Sequence, residues 1–217
     1  MAYIKEVFLV IKNWNNFLFP YEQALGELKI KLRGIRNEFI QFGKRSPIEF
    51  VTGRVKPVPS IKEKMTRRYI SENRLPQDME DIAGLRIMCP FVEDIYQVVD
   101  LLRKRTDINI LEERDYVNKE KSSGYRSYHI VFEYPVEMTT GEHKILAEIQ
   151  VRTLAMNFWA TVEHSLNYKY NGVFPTELKN RLQQSAETAF KLDEGMSEIR
   201  DELIEKQSEY SKNNRDD

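Results

Sequence analysis

Residues 143–152 read HKILAEIQVR. Ile145, Ala147, Ile149 and Val151 share one parity, while Lys144, Leu146, Glu148, Gln150 and Arg152 share the other. This two-residue period is that of a β-strand. Upstream, YRSYHIVFEYP (125–135) is dense in aromatic and β-branched residues, and TTGE (139–142) lies between the two segments as a turn. Together they predict a hairpin. The downstream strand sets a carboxylate, an amide and a guanidinium on one face in mid-sheet. Tyr125, Ser127 and His129 share a parity in the partner strand, so a suitable register brings a ring, an imidazole and a carboxylate together.

Outward from the hairpin, the pattern alternates between helix and strand. From Pro20 to about Phe42, Leu25, Leu28, Leu32, Ile35 and Phe39 recur every three or four residues, one stripe of an amphipathic helix with Lys29, Arg33 and Arg36 mostly off it. RSPIEFVTGRVK (45–56) follows, with Ile48, Phe50 and Thr52 alternating as in a strand. Pro59 opens a helix. DIAGLRIMC (81–89) reads as a mostly buried strand. VEDIYQVVDLLRKR (92–105) is helical, with Ile95, Val98, Val99 and Leu102 inward and its basic residues at the C-terminal end, where the helix dipole favours them. INILEERDY (108–116) is a strand. A helix starts at Thr153, and Pro175 opens a long last helix reaching about Tyr210. The expectation is an α+β fold: a mixed sheet of about five strands flanked by helices, with helical arms over about 14–42 and 175–210 around a core at about 46–170, all within one domain.

The bulk numbers narrow the classes. The chain has 217 residues, 41% hydrophobic and 31% charged, enough for a core and a solvated surface. No apolar run of ~18 residues predicts a membrane span. MAYIKEVFLVIKNW at the start lacks the cleavage site of a signal peptide and reads as a frayed or packing segment. Cys89, the single cysteine, forms no internal disulfide, and cytoplasm is the expected location. Net charge is −1, less basic than a general polyanion binder. Locally, however, residues 44–68 hold eight basic residues against two acidic ones, and residues 193–217 nine acids against four bases. A compact positive patch suits a small polyanion such as a nucleotide triphosphate, or else is a solvated face.

Several residues carry chemistry. Glu148 is costly to bury unless paired, whether by a metal ion, an arginine, or a structural bridge to Arg126 or Arg152. Asp81 opens its strand, as a turn residue or as a second carboxylate toward Mg²⁺, which takes one or two carboxylates beside substrate phosphates. Arg54 and Lys56 share a strand face; Ser60, Lys64 and Arg67 follow on one side of the next helix. Such donors suit a triphosphate, and an arginine also offers a flat face to a purine. Tyr125 can stack a base or fill a core, and His129 can donate to a phosphate or be a satisfied sheet histidine. There is no GxxxxGK[ST], no GxGxxG after a strand, and no HExxH.

SPIEFVTGRVKPVPSI, DIAGLRIMC, SGYRSYH, AEIQVRTLAMNFWATVEHSLNYKY and LDEGMSEIR together resemble the small alarmone synthetases of the RelA/SpoT superfamily, in particular the RelQ-type single-domain GTP pyrophosphokinases. The resemblance runs from about Trp14 to Tyr210. It implies a nucleotidyltransferase-like fold and transfer of the β,γ-pyrophosphate of ATP to the ribose 3′-oxygen of GTP or GDP. By that resemblance Arg54 and Arg86 sandwich adenine, and Lys56, Ser60, Lys64 and Arg67 hold the ATP phosphates. Asp81 and Glu148 carry Mg²⁺, with Glu148 also the general base. Tyr125 stacks on guanine, His129 reaches the acceptor phosphates, Lys121 and Arg114 assist, and Gln150 neighbours the acceptor ribose. The resemblance further implies a homotetramer with a central cleft for activating (p)ppGpp, matched by Lys29, Arg33, Phe50, Thr52 and Asn157, although Phe50 and Thr52 can also be strand core. Some relatives bind single-stranded RNA. The rival expectations are a non-catalytic nucleotide sensor, an RNA-binding module on the basic stretch, and a nucleotidyltransferase that releases pyrophosphate.

Overall fold

The computed structural model describes residues 11–170, 172 and 174–213; of MAYIKEVFLVIKNW, residues 1–10 lie outside them. Helix α1 (Trp14–Gln41) begins earlier than Pro20. The Asn13 side chain caps it, accepting from the backbone N–H of Asn15 and Asn16, and Pro20 sits inside the helix. There follow β1 (Phe50–Val55), α2 (Val58–Arg68), a short 3₁₀ turn (Glu72–Arg74), α3 (Leu75–Asp78), β2 (Ala83–Cys89) and α4 (Val92–Arg103). The chain continues through β3 (Asn109–Asp115), β4 (Tyr128–Met138), β5 (Gly141–Thr153), α5 (Leu154–Lys169) and α6 (Thr176–Asn213).

The five strands form one mixed sheet in the order β1-β2-β5-β4-β3, in which β2 and β5 run parallel and every other pair antiparallel. The expected hairpin is β4–β5, closed by a two-residue turn between Met138 and Gly141. One sheet face is apolar. Leu85, Ile87, Ile130, Phe132, Ile149 and Val151 are buried there with Leu25, Leu28 and Leu32 of α1 and Ile95, Val98 and Leu102 of α4. The approach of α1 to β1 is close: a Cβ on Gly53 would stand 2.8 Å from the Leu25 side chain. That contact keeps Val51 and Gly53 toward α1 and turns Phe50, Thr52 and Arg54 to the other face.

The expected strand alternation Ile48–Phe50–Thr52 is corrected. Ile48 is buried but precedes the strand, in a turn where its N–H donates to Ser46 Oγ (3.0 Å), whereas Phe50 is 42% exposed. Neither Phe50 nor Thr52 is core. Helix α6 runs back over the end of β5 and the start of α4. Thr153 Oγ1 donates to buried Asp193 (2.5 Å), Arg200 donates to Glu93 (3.0 Å), and Arg126 lies over the Phe190 ring (3.8 Å). Further along α6, Leu192, Met196, Ile199 and Leu203 are exposed at helical spacing. Among the described residues no helix is long and apolar enough to cross a membrane.

Candidate active site

The sheet face away from α1 is polar by construction. Across the strand pairings, Thr52, Arg86, Gln150, His129 and Arg114 form one row, and Arg54, Gly84, Glu148, Val131 and Glu112 the next. Between Arg54 and Glu148 stands Gly84, which has no side chain. An open cavity of 290 Å³ occupies that gap, lined by Arg54, Lys56, Asp81, Gly84, Arg86, Glu148 and Gln150 among others.

Both candidate carboxylates face this cavity. Asp81 does not open the strand, which starts at Ala83, but sits in the turn before it, where Lys56 Nζ donates to its Oδ2 (2.8 Å) and Lys64 Nζ to its Oδ1 (2.7 Å). Burial raises the Asp81 pKa, but the two lysines outweigh it and hold the carboxyl below the usual range. Glu148, buried in mid-sheet, is not bridged to Arg126 or Arg152. Its Oε1 is 2.8 Å from His129 Nδ1, and its Oε2 accepts from Gln150 Nε2 (2.7 Å). Burial, and more weakly Asp81, push its pKa up; the His129 and Gln150 bonds prevail and keep it low. Two ionised carboxylates thus face one opening, Asp81 from the turn that leads into β2 and Glu148 from the neighbouring parallel strand β5.

His129 is a buried residue of β4. Its Nε2 is 2.8 Å from Tyr125 Oη, so both ring nitrogens are engaged inside the protein rather than directed at a phosphate. Tyr125 follows Gly124, whose φ of +84° and whose absent Cβ, which would lie 2.6 Å from Ala186, make glycine necessary. That is the purpose of the glycine in KSSGYRSYH: it lets the loop turn beneath α6 and delivers the tyrosine to the site. Lys121 Nζ lies over the rings of Tyr116 (4.4 Å) and Tyr125 (5.1 Å). Arg114 is held by Glu80 (2.9 and 3.0 Å) and by Glu112. Next to the first cavity, a second of 360 Å³ is bounded by Arg54, Arg86, Tyr125, Arg152 and His164 among others. Burial, with Arg152 and Arg54 close by, lowers the Arg86 pKa.

Other expected residues stand further off. Ser60 and Arg67 are on α2 with Lys64, and neither lines the first cavity; Lys64 acts there through Asp81. Lys29 and Arg33 are on α1, on the side of β1 opposite Phe50 and Thr52, while Asn157 is on α5, so one chain does not gather these five around a point. Asn157 Oδ1 is buried and has no hydrogen-bond partner among the described residues. Two residues escaped the sequence reading. Gly84 had a signal, an isolated glycine within a strand, which marks close approach of a ligand or backbone. Arg152 is offered by the sequence only as a polar-face residue or a bridge to Glu148, and nothing local reveals its burial.

The donor set fits a hard divalent cation. Among the described residues no group of three or more His, Cys, Asp and Glu side chains could hold a metal by itself. Two ionised carboxylates on an opening rimmed by phosphate-compatible cations would suit Mg²⁺, an ion commonly held by one or two carboxylates beside substrate phosphates.

A model of the region found in RelA/SpoT proteins matches residues 53–173. The GTP pyrophosphokinase YjbM of Bacillus subtilis (strain 168) is 55% identical over 201 residues, covering 93% of this chain and 95% of that protein. The crystal structure of small alarmone synthetase 1 from Bacillus subtilis bound to its product pppGpp is similar with a TM-score of 0.84 at 56% identity, over 88% of this chain and 97% of that one. The same synthetase bound to AMPCPP gives a TM-score of 0.79 at 54% identity, over 88% and 98%. With these likenesses spanning the carboxylates, the cationic rim and the tyrosine loop alike, the chain belongs to the RelA/SpoT family, among its small alarmone synthetases, the GTP pyrophosphokinases.

Proposed function

We propose that the chain transfers the β,γ-pyrophosphate of ATP to the 3′-hydroxyl of GTP or GDP, releasing AMP and forming pppGpp or ppGpp. The observation that carries this is the pair of ionised carboxylates, Asp81 and Glu148, on one open cavity with cationic walls. A ribose hydroxyl is a weak nucleophile. Glu148 takes its proton, the oxygen forms a bond to the β-phosphorus, and the bond from that phosphorus to the α,β-bridging oxygen breaks. AMP departs with the electron pair. His129 and Gln150 hold the two Glu148 oxygens in place for that proton. Lys56 and Lys64 exchange Asp81 for phosphate oxygens, with Ser60 and Arg67 on the same helix face as Lys64. Arg54 and Arg86 flank the adenine, Tyr125 stacks on the guanine, and Lys121, Arg114 and Gln150 border the acceptor. Asp81 and Glu148 would hold Mg²⁺, which when bound neutralises charge on the transferring phosphates.

The reading extends to a cytoplasmic homotetramer activated by (p)ppGpp in a cleft between chains. It is supported by the exposed apolar stripe of α6, by the separation of Lys29 and Arg33 from Phe50 and Thr52 within one chain, and by the unpartnered Asn157 Oδ1. Single-stranded RNA is proposed to compete at that cleft through the basic flank of α1. The test is to incubate purified protein with ATP, GTP and Mg²⁺ and resolve the products by anion exchange. AMP and pppGpp are expected in equal amounts; free pyrophosphate, or intact nucleotides, would refute the transfer.

A further inference from the structure

Arg152 is 3% exposed, and every hydrogen bond it makes among the described residues ends on a neutral oxygen. Its Nε donates to Ser127 Oγ (3.2 Å), and its Nη2 donates to Tyr125 Oη (2.5 Å) and Gln150 Oε1 (2.5 Å). A buried guanidinium without a bonded carboxylate is costly, so its retention calls for a reason other than stability.

The reason lies in direction. A guanidinium has five N–H donors and no acceptor. Gln150 must therefore turn its carbonyl to Arg152, which leaves its NH₂ to donate to Glu148 Oε2 (2.7 Å). Tyr125 Oη likewise accepts from Arg152, which leaves its own hydrogen free to be donated to His129 Nε2 (2.8 Å). With Nε2 as acceptor, the neutral ring carries its proton on Nδ1 and donates it to Glu148 Oε1 (2.8 Å). Two arms thus leave one guanidinium, one through Gln150 and one through Tyr125 and His129. They end on the two oxygens of one carboxylate.

We propose that Arg152 is a positioning residue: it sets the polarity of both hydrogen-bond arms that hold the Glu148 carboxylate in place, and fixes His129 as the Nδ1–H tautomer. It acts through its neighbours and takes no proton itself. The catalytic part of the claim rests on Glu148 as the base of the proposed transfer, whereas the polarity of the arms holds in the free protein whatever the reaction.

The experiment has two parts. The ring ¹⁵N shifts of His129 are read by NMR in the free, full-length protein, with its signal identified by comparison with His143→Gln and His164→Gln. The Nδ1–H tautomer is expected; an Nε2–H tautomer or an imidazolium overturns the proposal, and this part needs no activity and no change at Arg152. In the second part, Arg152→Met is expected to lower kcat by roughly ten- to a hundredfold while KM for ATP stays within about twofold, since positioning is lost and donor contacts are kept. An unchanged kcat overturns the proposal. So does a raised KM for ATP with kcat intact, which would make Arg152 a contact for the donor instead. If the Nδ1–H tautomer is found but the chain makes no alarmone, the failure lies with the proposed transfer and not with the polarity.

Discussion

At the scale of single residues, the chemistry rests on how Glu148 is kept charged while buried. Its two oxygens are bonded from His129 and Gln150, and those bonds override desolvation. Glu148→Gln is nearly isosteric and removes the base. It is expected to lower synthesis by at least about 10²-fold with the fold kept and the melting temperature modestly lower, because the two bonds favour the ionised carboxylate by more than burial disfavours it. Radiolabelled ATP turnover and a thermal melt measure both, and near-normal product formation would remove Glu148 from its role. The carboxylate was legible in the sequence because strand alternation isolates a Glu among apolar neighbours. The meeting of the Tyr125 ring, the His129 imidazole and this carboxylate was legible only as conditional on register; the β4–β5 pairing supplies that register, setting His129 opposite Gln150 beside Glu148, while the alternative bridge to Arg126 or Arg152 does not form.

At the scale of elements, β2 matters as much for what it omits as for what it carries. A Cβ on Gly84 would meet nothing nearer than the Arg54 and Asp81 backbone oxygens, at 3.9 and 4.0 Å, so a larger side chain there grows into the cavity. Gly84→Val is expected to leave the fold intact and raise KM for ATP by roughly tenfold or more, as initial-rate kinetics would measure. A KM unchanged by this substitution would mean that the donor does not use the opening. The α5–α6 junction gives a second outcome. Burial, with a smaller push from Glu93, raises the Asp193 pKa to about 6 against the pull of the Thr153 hydroxyl. The folded state thus binds more protons than the unfolded chain between about pH 4 and pH 6, and stability falls as pH rises through that window. Asp193→Asn should melt about 5 °C higher than the parent at pH 8 and equally at pH 4. Equal melting at both pH values would count against the buried charge. The hairpin, α4 and α6 could be read from local periods, since one face of each is apolar. The parallel pairing of β2 with β5 could not, because it joins strands about sixty residues apart and no local pattern encodes that register. The same limit misplaced Ile48, whose burial comes from a turn and not from strand parity.

For the molecule as a whole, charge is distributed so that a nearly neutral chain presents a cationic opening on one sheet face and an acidic last helix elsewhere. The exposed row Leu192, Met196, Ile199 and Leu203 calls for a partner surface. Light scattering is expected to return four chains per particle. Lys29→Ala with Arg33→Ala should abolish stimulation by pppGpp while leaving the unstimulated rate within about twofold. A monomer, or stimulation that survives the double substitution, would dismiss the inter-chain cleft. Lys56 and Lys64 are already occupied by Asp81 before any nucleotide arrives. In the proposed transfer the protein is consequently its own counterion store: phosphate oxygens would displace a carboxylate from two ammonium groups instead of meeting bare cations, and each arrival would liberate an aspartate. Donor capture then becomes an exchange of anions, so ionic strength should weaken it less steeply than the number of nearby lysines and arginines suggests.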